Sequence, residues 1–137
     1  MCGVGGDRKQ EGSLNLMPDP GILERFVEMV VSGRHDRAIE EFYAEDATMQ
    51  ENLDQPRKGR DGLVARERAV MSAFKSIATR CERPVFVDGD RVVIRWMFEF
   101  EKYDGGRIAL DELAYQRWDG NRIAEERFYY DPKQLQA

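Results

Sequence analysis

The feature that most constrains the fold of this chain is a change in the spacing of its apolar residues near Cys81. Before Cys81, apolar residues recur at the spacing of helices that bury one face. From Cys81 onward they alternate with polar residues, as in strands that bury one face. A segment with one of these periods does not fit the other structure, so the sequence predicts helices followed by strands.

Three helices are predicted before this change, and an aspartate stands where each N-terminal cap belongs. A capping carboxylate accepts hydrogen bonds from backbone amides that have no partner within the helix. The first helix begins at Pro20 and ends before Gly33. The segment AEDA ends the second helix, and TMQEN predicts a short strand. The caps and apolar faces are Asp19 with Ile22, Leu23, Phe26, Val27 and Val30; Asp36 with Ile39, Phe42 and Tyr43; and Asp61 with Leu63, Val70, Met71, Phe74 and Ile77.

Four strands are predicted after the change, and each turn between them contains an Asp-Gly pair. Such pairs are strong short-range signals for a hairpin turn. The predicted strands are CERPVFV, RVVIRWMFEFEKY, RIALDELAYQRW and RIAEERFYYD. Consecutive strands joined by tight turns pair antiparallel, so these segments predict a meander.

Helices followed by an antiparallel meander define an α+β fold. Because each strand must bury one face, we expect the three N-terminal helices to pack in the concave face of a curved, mainly antiparallel sheet, a cone-shaped α+β barrel. Such an arrangement leaves a conical cavity, which is a natural ligand site. We expect the domain to span residues 19–137, preceded by a flexible arm over residues 1–18.

Composition argues against several classes of function. The 26 acidic residues outnumber the 21 lysines and arginines, and the net charge of −5 disfavours a nucleic-acid partner. No segment has the ~20 apolar residues of a membrane-spanning helix. Cys2, Cys81 and the lone His35 are too few and too far apart for a disulfide framework or a zinc site. We therefore expect a cytoplasmic protein with no metal and no cofactor.

Three segments of the chain resemble the nuclear-transport-factor-2-like, or SnoaL-like, superfamily. They are FVEMVVSGRHDRAIEEFYAEDATMQEN at 26–52, GRDGL at 59–63 and RWDGNRIAEERFYYDP at 117–132. The resemblance covers residues 20–132 and implies the same cone-shaped fold. Members of the superfamily include ketosteroid isomerase, scytalone dehydratase, limonene epoxide hydrolase and polyketide cyclases, together with non-catalytic transport and association modules. Fold alone therefore does not decide the function.

The similarity to ketosteroid isomerase implies a role for one residue and none for two others. The general-base aspartate of that enzyme corresponds to Glu51, which follows Ala47-Thr48. Its oxyanion-binding tyrosine and its protonated aspartate correspond to Phe26 and Ala114, whose side chains donate no hydrogen bond. The resemblance therefore implies a carboxylate base, but not steroid isomerisation. Ala114 also stands where polyketide cyclases have an inward aspartate.

Strand alternation indicates which side chains face the cavity. If Trp118 faces inward, Gln116 and Glu112 also do so. Glu67 lies on the apolar stripe of the third helix, where an unpaired carboxylate is costly. The predicted catalytic residues are Glu51, as the base, and Gln116. The predicted substrate-binding residues are Tyr43, Glu67, Trp96, Phe98, Glu112, Trp118, Glu126, Phe128 and Tyr130.

Each of these residues also has a purely structural interpretation. Glu51 could rim the cavity, Glu67 and Glu126 could form salt bridges with arginines, and Glu112 could be hydrated near a strand end. The aromatic residues could be ordinary core. His35, in the linker after the first helix, is expected to be exposed or to cap a helix.

The sequence thus predicts a protein that binds an apolar or carbonyl-bearing small molecule. As an enzyme it would use general acid–base chemistry without a cofactor, for isomerisation, cyclisation, dehydration or hydrolysis. The alternative is a non-catalytic ligand-binding or association module. The outward residues of the second predicted strand, RVVIRWMFEFEKY, form a half-apolar face, which predicts a homodimer. These residues are Val93, Arg95, Met97 and Glu99.

Overall fold

The computed structural model describes residues 16–136, in which three α-helices pack against a six-stranded sheet. The helices are α1 (Pro20–Val31), α2 (His35–Phe42) and α3 (Arg60–Ala73). The strands are β1 (Tyr43–Glu51), β2 (Arg57–Lys58), β3 (Ser76–Asp88), β4 (Arg91–Glu101), β5 (Arg107–Asp119) and β6 (Arg122–Tyr129), and a 3₁₀-helix follows at Pro132–Leu135. The predicted α+β class is confirmed. Most of the arm predicted over residues 1–18 lies outside the described residues.

Helix α1 has the start and the buried face that its sequence predicts. The Asp19 carboxylate accepts hydrogen bonds from the backbone amides of Gly21 and Ile22, at 2.8 and 3.3 Å. Pro20 occupies the first turn, where backbone amides have no acceptor within the helix, so its missing amide hydrogen costs no helical hydrogen bond. Gly33 follows the helix with φ = +90°, a conformation that a side chain disfavours. The buried residues are Leu23, Phe26, Val27 and Val30.

Helix α2 begins before its predicted cap and ends before Tyr43. Arg34 occupies the N-cap position without a side-chain hydrogen bond, so the prediction that Asp36 caps this helix is wrong. The Asp36 carboxylate instead accepts a hydrogen bond from Arg68 of α3, at 2.9 Å. The sequence predicts Tyr43 within this helix and the segment AEDA at its end, but both belong to β1. Tyr43 pairs with Ile123 of β6, and this long-range pairing outweighs local helix propensity.

Helix α3 begins at a glycine rather than at an aspartate cap. Gly59 occupies the N-cap position with φ = +107°, and Arg60 is the first helical residue. Asp61 therefore lies within the first turn, and the prediction that it caps the helix is wrong. A carboxylate in the first turn still interacts favourably with the positive end of the helix dipole.

Strand β3 begins before Cys81, where the sequence places the change of period. It starts at Ser76, which pairs with Glu101 of β4, so Ile77 belongs to the strand and not to α3. The pairing with β4 runs without interruption from Ser76 to Glu82 and supplies backbone hydrogen bonds to these residues. The residues between Ser76 and Cys81 are few and directly follow the helical pattern of α3. The sequence alone therefore does not show where the helix ends and the strand begins.

The six strands form one open sheet in the order β2-β1-β6-β5-β4-β3. Strands β1 and β6 are parallel and the other neighbouring pairs are antiparallel, so the sheet is mainly antiparallel, as predicted. Strands β2 and β3 form its two edges, and the cone-shaped sheet does not close into a complete barrel. The parallel pair places Glu51 beside Phe128 and Met49 beside Glu126.

The core lies between the helices and the covered face of the sheet. Phe26 of α1 is at its centre, and its ring packs against those of Phe42, Tyr43, Trp96 and Trp118. The strand alternation inferred from the sequence is confirmed on β4 and β5. Their buried residues toward the helices include Val92, Ile94, Trp96, Ala114, Gln116 and Trp118.

Candidate functional site

A cavity of about 310 Å³ lies between the helices and the sheet. Its volume is at the lower end of the range for small-molecule sites. Apolar side chains form most of its walls, such as Ile39 and Leu63 on the helical side and Phe98 and Phe128 on the sheet. Polar side chains reach it at a few positions, which are His35, Tyr43, Glu51, Arg66, Glu67, Glu112, Glu126 and Tyr130.

Most of the residues predicted from the sequence as site residues line this cavity. The exceptions are Gln116 and Trp118, which are completely buried beneath the cavity wall on the inward face of β5. These two residues therefore influence a ligand only through their neighbours. The predicted residues that line the cavity are Tyr43, Glu51, Glu67, Trp96, Phe98, Glu112, Glu126, Phe128 and Tyr130.

A buried chain of hydrogen bonds connects Gln116 and Trp118 to the cavity. The Trp118 indole Nε1 donates to Gln116 Oε1 at 2.9 Å, and Gln116 Nε2 donates to Glu126 Oε2 at 2.6 Å. The Tyr43 hydroxyl donates to the other oxygen of Glu126. Both carboxylate oxygens of Glu126 thus have a donor, which fixes this side chain in one orientation.

Burial raises the pKa of Glu126 to about 7, although its two hydrogen-bond donors oppose this shift. Removing a carboxylate from water disfavours its charged form, and donors to the carboxylate favour that form. Burial also raises the pKa of Tyr43 well above its usual value, and the neighbouring charge of Glu126 adds to this effect. Tyr43 therefore remains a hydrogen-bond donor throughout the physiological pH range.

Glu112 is the buried carboxyl group that faces the cavity without a partner. Its side chain lies on β5 opposite Trp96 of β4, and the residue is 8% exposed. Among residues 16–136, no side chain forms a hydrogen bond or an ion pair with its carboxyl group. Burial, followed by the charges of Glu126, Glu51 and Glu67, raises its pKa to about 8. Glu112 is therefore mostly protonated at neutral pH and can donate a hydrogen bond to a ligand.

Glu51 lies at the cavity among groups that balance its charge. Its Oε2 atom lies 3.2 Å from Arg57 Nη1 and 3.6 Å from Arg66 Nη2. Its Oε1 atom accepts a hydrogen bond of 2.6 Å from the Tyr130 hydroxyl. Burial and this hydrogen bond raise the pKa of Tyr130 above its usual value. Glu51 is thus part of a four-residue polar cluster at the ends of β1 and β6.

The prediction that His35 is exposed or caps a helix is wrong. The residue is 8% exposed and lines the cavity, with its ring edge-on to that of Phe98. Its Nε2 atom lies 2.8 Å from Thr79 Oγ1, and its Nδ1 atom lies 3.5 Å from Glu67 Oε2. Glu67 therefore pairs with a histidine, not with an arginine.

The sequence contains a signal for the position of His35. In α2 the buried residues recur at helical spacing, and His35 takes the first position of that stripe, before Ala38, Ile39 and Phe42. A helix that begins at Asp36, as the cap predicts, leaves His35 outside this stripe. Arg66 was also missed, because an arginine beside Glu67 on α3 looks like ordinary surface.

Several other kinds of site are not found within residues 16–136. No group of three or more His, Cys, Asp and Glu side chains there is placed to hold a metal ion. Cys81 forms no disulfide within this part of the chain, and Cys2 lies outside it. No helix of the described region is long and apolar enough to cross a membrane.

Comparison with protein families identifies the class to which this fold and cavity correspond. The model of the SnoaL-like domain family matches residues 23–126. The chain therefore belongs to the SnoaL-like domain family, in agreement with the resemblance inferred from its sequence. None of the curated proteins compared with the chain matches it significantly.

Several solved structures are similar to this one. A proposed SnoaL-like polyketide cyclase from Mesorhizobium loti is 25% identical, with a TM-score of 0.67, and the match covers 80% of this chain and 97% of that one. TerC, co-crystallised with polyporic acid, is 15% identical with a TM-score of 0.71, over 85% and 93% of the two chains. An NTF2-like protein of unknown function from Burkholderia pseudomallei K96243 is 15% identical with a TM-score of 0.71, over 84% and 92%.

Proposed function

We propose that this protein binds an apolar, carbonyl-bearing small molecule in its cavity and catalyses a cofactor-independent acid–base reaction on it. Isomerisation and cyclisation are the reaction types that this site suits best, since both proceed through an enol or enolate. The observation that carries the proposal is Glu112, a buried carboxyl group that faces an apolar cavity and has no side-chain partner among residues 16–136. The similar structures named as a polyketide cyclase and co-crystallised with polyporic acid support a small organic ligand.

The walls of the cavity suit the body of such a ligand. Trp96, Phe98 and Phe128 line it from the sheet, and aliphatic side chains line it from the helices. Aromatic walls bind flat or cyclic molecules well, because they offer a large apolar area with little loss of conformational entropy. A ligand without a polar group would leave Glu112 unpaired, so the ligand needs an acceptor for its proton.

Glu112 would donate a hydrogen bond to the carbonyl oxygen of the ligand. With a pKa of about 8, its carboxyl group carries a proton at neutral pH. When negative charge develops on the carbonyl oxygen, the proton stabilises it in a site where little water screens the interaction. Glu112 thus has the position and the protonation state of a general acid.

We propose that the other predicted site residues support this step. Gln116, predicted as catalytic, and Trp118 act through Glu126, which they and Tyr43 hold in place. Glu51 binds the outer end of the ligand together with Tyr130, because its charge is already balanced by two arginines. Gln116 is then a positioning residue rather than a catalytic one.

Titration calorimetry with 2-tetralone, a bicyclic ketone, tests this proposal at about pH 6 and about pH 9, on either side of the Glu112 pKa. The affinity of the wild-type protein should fall about tenfold at the higher pH, since only the protonated fraction of Glu112 can bind the carbonyl oxygen. Glu112→Gln carries a permanent amide donor and should lose this pH dependence. Glu99→Gln, on the outer face and paired with Arg107, should keep it. Equal wild-type affinity at the two pH values would contradict the proposal.

A second candidate function is a dimeric association module, which the outer face of the sheet favours. Leu113, Tyr115 and Tyr129 lie next to one another on β5 and β6, and each is more than two-fifths exposed. We propose that this face forms a homodimer, which is compatible with catalysis in the cavity. We also propose a cytoplasmic location, because Cys81 forms no disulfide within residues 16–136, which suits a reducing compartment.

A further inference from the structure

We infer that Glu67, positioned by His35, is the general base that removes a proton from the carbon atom next to the ligand carbonyl. This inference rests on the proposed function, because it assigns the second half of the same reaction. It differs from the sequence prediction, which gave this role to Glu51. Three observations support it: the pairing of Glu67 with His35, its position across the cavity from Glu112, and the different surroundings of Glu51.

Three elements hold the Glu67 side chain and its partner. Glu67 comes from α3, His35 from the first turn of α2 and Thr79 from β3. Thr79 Oγ1 lies 2.8 Å from one ring nitrogen of His35, and Glu67 Oε2 lies 3.5 Å from the other. The ring is 8% exposed and packs against Phe98, so it has little freedom to turn.

One tautomer of His35 directs the imidazole proton at Glu67. A neutral imidazole has one donor and one acceptor nitrogen. If the Thr79 hydroxyl donates to Nε2, the proton resides on Nδ1 and points at the Glu67 carboxylate. The imidazole then orients one carboxylate oxygen, and the other oxygen is left for the ligand. A carboxylate held by a buried histidine in this way is a well-defined proton acceptor.

Glu67 and Glu112 occupy opposite walls of the cavity. Glu67 lies on the helical wall, whereas Glu112 and Glu126 lie on the sheet. The charge of Glu67 contributes to the raised pKa of both sheet carboxyls, so all three act within one poorly screened space. A ligand in the cavity therefore lies between a carboxylate on one side and a protonated carboxyl group on the other.

Glu51 is less suited to this role. Two guanidinium groups, of Arg57 and Arg66, and the Tyr130 hydroxyl occupy both of its oxygens. Among residues 16–136, the Glu67 carboxylate lies 3.5 Å from a ring nitrogen of His35 and forms no ion pair with an arginine or lysine. Glu67, and not Glu51, thus has a carboxylate oxygen available to the ligand.

The proposed step balances in protons and electrons. Glu67 takes the proton from the α-carbon, and the electron pair of that C–H bond forms a C=C bond. The carbonyl π electrons move to the oxygen, which takes the proton of Glu112, so the ligand becomes an enol. Return of a proton from Glu67 to a carbon of the enol, with return of the oxygen proton to Glu112, restores both groups and gives the ketone or its isomer. No oxidant or second substrate is needed.

Exchange of the α-protons of 2-tetralone for deuterium in D₂O, followed by proton NMR, tests this inference. We expect the wild-type protein to accelerate exchange and Glu67→Gln to lose about 100-fold or more of that acceleration, the contribution of a general base. Glu51→Gln should lose less than about tenfold. Glu99→Gln, on the outer face, is the matched control and should exchange at the wild-type rate.

The role of His35 has a separate measurement. His35→Gln should lower kcat for exchange by a larger factor than it changes KM, because the proposed role of the imidazole is to orient Glu67 rather than to hold the ligand. In the double variant His35→Gln/Glu67→Gln, the loss should be no larger than in Glu67→Gln alone, since the histidine acts only through the glutamate. Additive losses would show that His35 has only a structural role.

The outcomes separate this inference from the proposed function. Full exchange by Glu67→Gln, or a larger loss in Glu51→Gln, overturns the assignment of the base and leaves the role of Glu112 intact. A wild-type protein that binds 2-tetralone without accelerating exchange also overturns the assignment. A wild-type protein that does not bind 2-tetralone by calorimetry contradicts the proposed function and this inference together.

Discussion

Four glutamates face one cavity, and their different partners give each of them a different chemistry. Glu126 has two neutral donors, Glu51 has two arginines and a phenol, and Glu67 has a histidine. Glu112 has burial and neighbouring negative charge instead, which raise its pKa to about 8, above the value of about 7 for Glu126. The type of residue is the same in each case, so the chemistry is set by the surroundings.

The raised pKa values of Glu112 and Glu126 predict how stability depends on pH. Both groups release their protons near pH 4.5 in the unfolded chain, but only near pH 8 and pH 7 in the folded protein. Between these values the folded state binds more protons than the unfolded state. The contribution of these two groups to the free energy of unfolding should therefore be greatest below about pH 4.5. It should fall as the pH rises toward 8.

Urea unfolding at a series of pH values measures this effect. Glu112→Gln should reduce the fall and raise the free energy of unfolding at about pH 8 by about 1–3 kcal/mol, because it removes a buried charge. Glu99→Gln should follow the wild-type curve, since that residue is exposed. Identical pH dependence in the wild-type protein and Glu112→Gln would show that Glu112 is not the group responsible.

At the scale of secondary-structure elements, the helix starts differ in what holds them. Asp19 caps α1 with its carboxylate, whereas α2 and α3 begin without a side-chain cap. Asp19 and Asp61 look alike in the sequence, because each precedes an apolar helical pattern. Only Asp19 lies one residue before its helix; Asp61 is the second residue of α3.

This difference gives a matched pair of variants. Asp19→Ala should lower the free energy of unfolding by about 1 kcal/mol, the usual contribution of an N-cap. Asp61→Ala should change it by less than about 0.5 kcal/mol, since only the interaction with the helix dipole is lost. Chemical unfolding of the two variants beside the wild-type protein measures both values. Equal losses would mean that Asp61 contributes as much as a cap.

At the scale of the whole molecule, the sheet separates two surfaces. Its inner face meets the helices and forms the cavity, and its outer face carries exposed apolar side chains among ion pairs such as Arg95–Asp111. An apolar area with a charged rim is typical of a protein–protein contact. The proposed homodimer therefore leaves the cavity free for ligand.

Light scattering coupled to size-exclusion chromatography tests the proposed dimer. We expect the wild-type protein to elute as a dimer and Leu113→Glu as a monomer, because the substitution would bury an unpaired charge in the contact. Val31→Glu places the same charge at an exposed apolar position on α1 and should remain dimeric. A monomeric wild-type protein, or a dimeric Leu113→Glu, would contradict the outer-face dimer.

The amino-acid sequence by itself determined the class of this fold and much of the cavity lining. Periodicity is a local property, so it indicated three helices, the alternation of the long strands and the inward direction of Glu112 and Glu126. The resemblance in three segments indicated the family. Boundaries were less certain where a segment suited two structures, as at Tyr43 and Ser76, since strand pairing there outweighs local preference.

Only the tertiary structure decided which groups meet. The parallel pairing of β1 with β6 and the bond from Tyr43 to Glu126, 83 residues apart, follow from long-range packing. The same packing buried His35 beside Glu67, placed Gln116 beneath the cavity and left Glu112 without a side-chain partner in the part of the chain that the structure describes. The protonation of a carboxyl group depends on these neighbours and on burial, and local sequence specifies neither.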